Sequence, residues 1–109
     1  MNQDLIATRT LKFRKTDSDE RGELTIEVYA PYYLREGMVE FPISQGNAGC
    51  SVKFVGIDTE SYDQEIYGMD ALQALTMAAD VDGALRHISK KYELYFQDGD
   101  PYFDDSENT

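Results

Sequence analysis

One stretch of this sequence has the periodicity of a long helix, and it lies between segments that alternate like strands. Its apolar positions are Ala74, Ala78, Val81, Leu85, Ile88 and Tyr92. They recur at alternating steps of four and three residues, which places them on one stripe of a helix. Asp70 stands at the N-cap position, and Gln73 stands where the partner of a capping box belongs. The pattern predicts a helix over residues 70–91.

Segments on both sides of this helix have the pattern of strands. Strands are predicted over residues 5–15, 23–30, 50–57, 62–67 and 93–97, and residues 38–43 are apolar enough for one more short strand. Turn-forming residues over 16–22 predict a hairpin of the first two strands. Its polar side would pair two bases with two acids, namely Lys12 and Arg14 with Glu23 and Glu27.

These elements predict an α+β fold. We expect a twisted antiparallel sheet of four to six strands with one long helix (about 70–91) packed on one face, in the order β-β-(β)-β-β-α-β. At 109 residues the chain is expected to be a single domain, 1–109, whose acidic end over 104–109 is frayed. A turn over 58–61 is predicted between the strands at 50–57 and 62–67.

The charge of the chain limits the kinds of partner that we expect, and its cysteine content limits the cellular compartments that we expect. The 21 acidic and 10 basic residues give a net charge of −11, so neither nucleic acid nor an anionic membrane is an expected partner. A protein partner, including a basic one, or a second copy of the chain is compatible with this charge. The lone cysteine and the absence of a signal-peptide pattern in residues 1–6 predict a cytoplasmic location.

The sequence contains no set of residues that predicts a catalytic or metal centre. Asp17, Asp19 and Gly22 have the spacing of the start of an EF-hand loop, but Arg21 and Val28 occupy later ligand positions. His87 and Cys50 lack a recognisable base, nucleophile and orienting group. No cofactor is expected, and the chain is not expected to be an enzyme.

Tyrosine is the more informative residue type, with eight in the chain. Several fall on strand positions opposite the inferred core, and tyrosine is enriched at protein interfaces. The candidate interface residues are Tyr29, Tyr32, Tyr33, Tyr67 and Tyr95. They favour a non-enzymatic protein-interaction domain, either one like an immunity protein or antitoxin that neutralises a basic protein, or a homodimer.

A small-molecule-binding domain or minor enzyme is the alternative. Its pocket would lie between the helix and the loop over 31–49, because a loop of this length in a small domain is often functional. The polar residues that would line this pocket are Arg35, Glu36, Cys50 and His87.

Residues 66–75, Ile-Tyr-Gly-Met-Asp-Ala-Leu-Gln-Ala-Leu, carry a resemblance to a known class of domain. The segment resembles a Gly–hydrophobic–Asp–x–hydrophobic–Gln–Ala–Leu motif of small uncharacterised bacterial domains of unknown function. In those domains several strands precede the motif, and a helix and a short tyrosine-containing strand follow. The resemblance covers about residues 50–97 and implies the same order of elements, with no activity or site residue attached.

Overall fold

The computed structural model describes residues 4–57 and 62–103 of the chain. Its strands are β1 (Leu5–Lys15), β2 (Arg21–Tyr29), β3 (Tyr32–Tyr33), β4 (Ala48–Val55), β5 (Gln64–Gly68) and β6 (Tyr92–Tyr95), and its helices are α1 (Ala71–Ala79) and α2 (Asp82–Ile88). The predicted α+β class is confirmed. The turn predicted over 58–61 and the acidic tail predicted over 104–109 lie outside the described residues.

All six strands form one antiparallel sheet. β1 pairs with β2 on one side and with β6 on the other. β4 pairs with both β2 and β3 along one side and with β5 along the other. β3 continues the line of β2 after a break at Pro31, which has no backbone N–H to donate. β5 and β6 are therefore the outer strands of the sheet.

The register of the first hairpin confirms part of the predicted charge pairing. Lys12 lies opposite Glu23, as expected. Arg14 lies opposite Arg21 instead of an acid, and its guanidinium pairs with Glu93 of β6, which is remote in sequence. Glu27 lies opposite Thr8 on one side and Lys53 of β4 on the other. These charges are therefore paired across four strands, β1, β2, β4 and β6, rather than within one hairpin.

The helical segment begins as predicted but is interrupted. The Asp70 carboxylate accepts a hydrogen bond from the N–H of Gln73 at 2.7 Å, and the Gln73 side chain accepts one from the N–H of Met69 at 2.7 Å. The helix predicted over 70–91 is two helices, because Asp80 leaves the helical conformation at φ −82° and ψ 81°. Asp80 opens the run Asp-Val-Asp-Gly, whose residues all have low helix propensity.

The strand considered over 38–43 does not form. Residues 38–41 form a bend and residues 42–43 are irregular, between β3 and β4. Pro42 removes a donor that a paired strand would need. Phe41 packs edge-on against Tyr67, with 5.3 Å between ring centroids, so the apolar residues of this loop serve as anchors.

The core combines alternate strand residues with the apolar stripe of the helices. The buried strand residues include Leu11, Leu24, Ile26, Cys50, Val52 and Phe54, and the buried helical ones are Ala74, Ala78, Leu85 and Ile88, with Val81 between the two helices. Contact between α1 and the sheet is made on β4 and β5. The strand residues that alternate with the core residues form the other face of the sheet.

Candidate functional site

We call that other face the polar face and define it by the strand register. It comprises Thr8, Thr10, Lys12, Arg14, Arg21, Glu23, Thr25, Glu27, Tyr29, Tyr32, Gly49, Ser51, Lys53, Val55, Glu65, Tyr67, Glu93 and Tyr95. These residues alternate with core residues along their strands, because successive side chains of a strand point to opposite faces.

A row of two tyrosines with a glycine between them crosses three strands of the polar face. Tyr32 and Tyr67 lie on either side of Gly49 in the register. A Cβ on Gly49 would lie 2.6 Å from both Cζ and the hydroxyl oxygen of Tyr32. The Tyr32 ring therefore lies across the backbone of β4 at Gly49, and only glycine leaves room for it there.

The carboxylate of Glu65 holds the Tyr32 side chain in this position. It accepts hydrogen bonds from the Tyr32 hydroxyl at 2.6 Å and from the Ser51 hydroxyl at 2.8 and 2.9 Å. Burial, and then the hydrogen bond to Glu65, raise the pKa of the Tyr32 phenol far above its ordinary value. The phenol is therefore a hydrogen-bond donor at neutral pH, and the ring is held in one orientation.

Tyr29 is held in the same manner. Its hydroxyl donates to Glu27 at 2.9 Å, and this hydrogen bond raises the pKa of the phenol. The ammonium of Lys53 lies 5.4 Å from the centroid of the Tyr29 ring, within the range of a cation–π contact. The acid, the base and the ring thus form one connected group on β2 and β4.

A third tyrosine is fixed at the β6 end of the polar face. The guanidinium of Arg14 donates to Glu93 at 2.6 and 3.3 Å, and the Tyr95 hydroxyl donates to the same carboxylate at 2.5 Å. These hydrogen bonds, that of Arg14 first, lower the pKa of Glu93. Beside them lies a groove of about 500 Å³, lined by Lys12, Arg14, Arg21, Glu23 and Tyr95 among others.

The polar face carries as many bases as acids. Its bases are Lys12, Arg14, Arg21 and Lys53, and its acids are Glu23, Glu27, Glu65 and Glu93. The net charge of −11 therefore arises from the rest of the chain. The strand residues of the polar face therefore carry no net charge among themselves.

Four of the five tyrosines predicted from the sequence share this face, and one does not. Tyr29, Tyr32, Tyr67 and Tyr95 lie on it. Tyr33 lies opposite Ala48, whose side chain is buried in the core, so Tyr33 points to the other side of the sheet and is 66% exposed. The break at Pro31 restarts the alternation, which sequence alone does not specify.

The residues predicted to line a polar pocket have separate surroundings. Arg35 and Glu36 are exposed in the loop after β3. The Cys50 thiol is buried and donates to the carbonyl oxygen of Tyr29 at 3.0 Å. His87 is exposed on α2, and its ring lies 5.9 Å from that of Tyr62.

A cavity does lie where the loop meets the start of α1. It measures about 260 Å³ and is lined by Leu34, Phe41, Pro42, Asn47, Tyr67, Gly68, Met69 and Gln73. None of the four predicted polar residues is among these lining residues. The groove between β1, β2 and β6 is larger and was not anticipated, because Arg14 and Tyr95 are remote in sequence.

Comparison with protein-family models, with curated protein sequences and with solved structures finds no significant match to this chain. The resemblance of residues 66–75 to domains of unknown function therefore stays a prediction. Within residues 4–57 and 62–103, no helix is long and apolar enough to cross a membrane.

We expect Cys50 to be unreactive in the folded protein. Burial, and then the negative charge of Glu65, raise the pKa of its thiol, so the nucleophilic thiolate is scarce at neutral pH. The reaction with a chromogenic disulfide reagent should be slower in buffer than in denaturant by about a hundredfold or more, since access requires local opening. Equal rates in the two solutions would contradict this expectation and would favour a reactive cysteine.

Proposed function

We propose that this chain is a non-enzymatic protein-interaction domain. In this proposal α1 and α2 cover one face of the sheet, and the polar face binds a partner protein. The observation that carries the proposal is the set of tyrosines on that face, three of which are fixed by hydrogen bonds to Glu27, Glu65 and Glu93.

Fixed tyrosines suit a binding surface for an energetic reason. Binding costs free energy when mobile side chains become ordered, roughly 0.5–1.5 kcal/mol for each long flexible one. Tyrosine has a large rigid ring, and the rings of Tyr29, Tyr32 and Tyr95 are already oriented by their hydrogen bonds. Such a surface offers contact area and polar groups at a low entropic cost.

The distribution of charge on the chain supports a basic partner protein. Long-range attraction would bring it to the chain, and its contact surface would carry both acids and bases. The acidic surface outside the polar face would steer a basic protein toward the chain, because long-range fields raise association rates. At contact, the balanced charges of the polar face would pair with a mixed polar surface. A basic protein that presents such a mixed polar patch, as in toxin neutralisation, would satisfy both the long-range attraction and the pairing at contact.

Small-molecule binding in the pocket predicted between the helix and the 31–49 loop has weaker support. The cavity between the 34–47 loop and α1, at about 260 Å³, is below the roughly 300–1,000 Å³ of ordinary ligand sites. The raised pKa values of Tyr29, Tyr32 and Tyr95 also make their phenols poor general bases at neutral pH. We therefore place the interaction surface, rather than this cavity, at the centre of the proposed function.

The test is affinity capture from the native host with three baits. They are the unmodified chain, the double variant Tyr29→Ser with Tyr95→Ser, and the matched control Tyr33→Ser, whose tyrosine lies off the polar face. A partner captured by the first bait is then purified and titrated against all three by calorimetry. We expect affinity to fall about tenfold or more for the double variant, as when an interface tyrosine is lost.

The control variant should bind like the unmodified chain, and circular dichroism should show all three baits folded. Equal affinity of the double variant and the unmodified chain for the purified partner would contradict the proposed surface. A failure of the native chain to capture any protein would contradict the proposed function itself.

A further inference from the structure

The outer side of β5 has no hydrogen-bonding partner in the described part of the chain. β5 pairs with β4 over all five residues, from Gln64 to Gly68. No backbone hydrogen bond joins its other side to any residue of 4–57 or 62–103. An unpaired strand edge of this kind is a template for pairing with another strand.

Two other free edges of the sheet, on β6 and β1, are protected. The outer side of β6 is covered by the turn that follows it, where the N–H of Tyr102 donates to the carbonyl of Leu94 at 2.9 Å and Tyr95 bridges to Pro101. The free half of β1 has a register irregularity between Leu5 and Ala7, and its Thr10 carbonyl accepts from the Gln97 side chain at 3.0 Å.

Within residues 4–57 and 62–103, no turn covers the outer side of β5 in this way. The strand contains no proline and no lysine, and its register with β4 runs without a shift. Proteins use irregular pairing, inserted prolines, lysines or covering loops to prevent edges from pairing. In contrast to β1 and β6, β5 therefore has an edge that can form hydrogen bonds with another strand.

We propose that β5 pairs antiparallel with β5 of a second copy of this chain about a two-fold axis at Ile66. This register pairs all five residues: Gln64 faces Gly68 of the second copy, Glu65 faces Tyr67, and Ile66 faces Ile66. Any two-fold register centred on another residue leaves part of the strand unpaired. The sheet then continues through both copies, which is an isologous arrangement.

The side chains of β5 are self-complementary in this register. Glu65 and Tyr67 are both on the polar face, so each carboxylate lies beside a phenol that can donate to it. A two-fold axis at Glu65 would instead place two carboxylates directly opposite each other, which is destabilising. On the other face, the half-buried Ile66 side chain would be covered by its copy.

The apolar surroundings of β5 agree with a covered edge. Tyr67 is 39% exposed and Met69, one residue beyond the strand, is 75% exposed. Phe41, which packs on Tyr67, is 45% exposed. The proposed two-fold axis is perpendicular to the sheet, so both polar faces lie on the same side of the dimer. This inference does not depend on the proposed function.

The test uses two variants of one residue and sedimentation equilibrium over a range of protein concentrations. In the dimer, residue 67 of each copy faces Glu65 of the other copy, so a substitution changes two pairs. Tyr67→Glu would make both of them pairs of carboxylates, and Tyr67→Lys would make both of them pairs of a base with an acid. We expect a reversible dimer of the 12.4 kDa chain, weakened about tenfold or more by Tyr67→Glu and retained by Tyr67→Lys. Added salt should strengthen the dimer, since it screens the repulsion between two acidic chains.

Amide hydrogen exchange locates the contact. In the unmodified chain, exchange in Gln64–Gly68 should slow as protein concentration rises, while exchange in residues 5–9 should not change. A chain that is monomeric at every accessible concentration would overturn the proposal. So would a dimer that responds equally to the two Tyr67 variants, or one whose concentration-dependent protection falls on β1 or on the polar face away from β5.

Discussion

Substitution of Gly68 by alanine is expected to lower the free energy of unfolding by about 3 kcal/mol, at the upper end of ordinary overpacking effects. A Cβ at this position would lie 2.6 Å from the backbone nitrogen of Ala74 and 3.0 Å from its Cα. Helix backbone cannot yield by rotating a side chain, so α1 must move away from the end of β5. Urea denaturation monitored by circular dichroism measures the loss.

Gly83→Ala is the matched control for this prediction. Nothing lies within 4 Å of a Cβ built on Gly83, which is inside α2. Alanine favours the helix over glycine by about 1 kcal/mol, so this variant should be more stable than the unmodified chain. The same substitution should therefore have opposite effects at the two sites. A Gly68→Ala variant as stable as the unmodified chain would show that α1 does not pack closely on β5.

Leu85→Ala is expected to cost about 2–5 kcal/mol of folding free energy, because it removes buried methyl groups and leaves a cavity. Leu85 is fully buried in α2 and belongs to the same core cluster as Leu11 and Phe54. The loss is measured by urea denaturation at a fixed protein concentration, so that self-association does not alter the comparison.

Leu5→Ala provides the comparison with an exposed leucine. Leu5 is 48% exposed at the start of β1, and substitutions at such sites usually change stability by about 0.5 kcal/mol or less. If both leucine variants lost the same small amount of stability, the assignment of α2 to the core would be wrong.

Local patterns predicted the parts of the fold that depend on neighbours in sequence. Strand alternation predicted a strand over residues 5–15, which is the extent of β1 in the structure. It also predicted that Lys12 faces Glu23, as the register has it. The Asp70 cap with Gln73 fixed the start of α1, because both of its hydrogen bonds join residues four or fewer positions apart. Such interactions can be inferred from spacing alone.

The interruption at Asp80 could not be inferred from periodicity. Val81, Leu85 and Ile88 continue the spacing of Ala74 and Ala78, and all of them are buried in one core. A stripe of this kind is compatible with one continuous helix or with two helices that pack against the same core. The low helix propensity of Asp80–Gly83 was the available signal for the break.

The candidate surface was predicted only in outline. Alternation over residues 23–30 placed Tyr29 opposite the inferred core. The other predicted interface residues were Tyr32, Tyr33, Tyr67 and Tyr95, and the hydrogen-bond acceptors of these tyrosines could not be inferred. The contact between Tyr32 and Glu65 joins residues 33 positions apart, and that between Arg14 and Glu93 joins residues 79 positions apart. Contacts of this range depend on the order of strands in the sheet, which periodicity does not determine.

The tyrosine–carboxylate pairs also determine how the protein emits light. The chain has no tryptophan, so its intrinsic fluorescence comes from tyrosine. An excited phenol is a stronger acid and passes its proton to a bonded carboxylate, which quenches emission. Tyr29, Tyr32, Tyr95 and Tyr102 all donate to carboxylates in the folded chain. Unfolding releases these phenols into water, so we expect tyrosine emission to rise when the sheet unfolds, which would follow unfolding without an added dye.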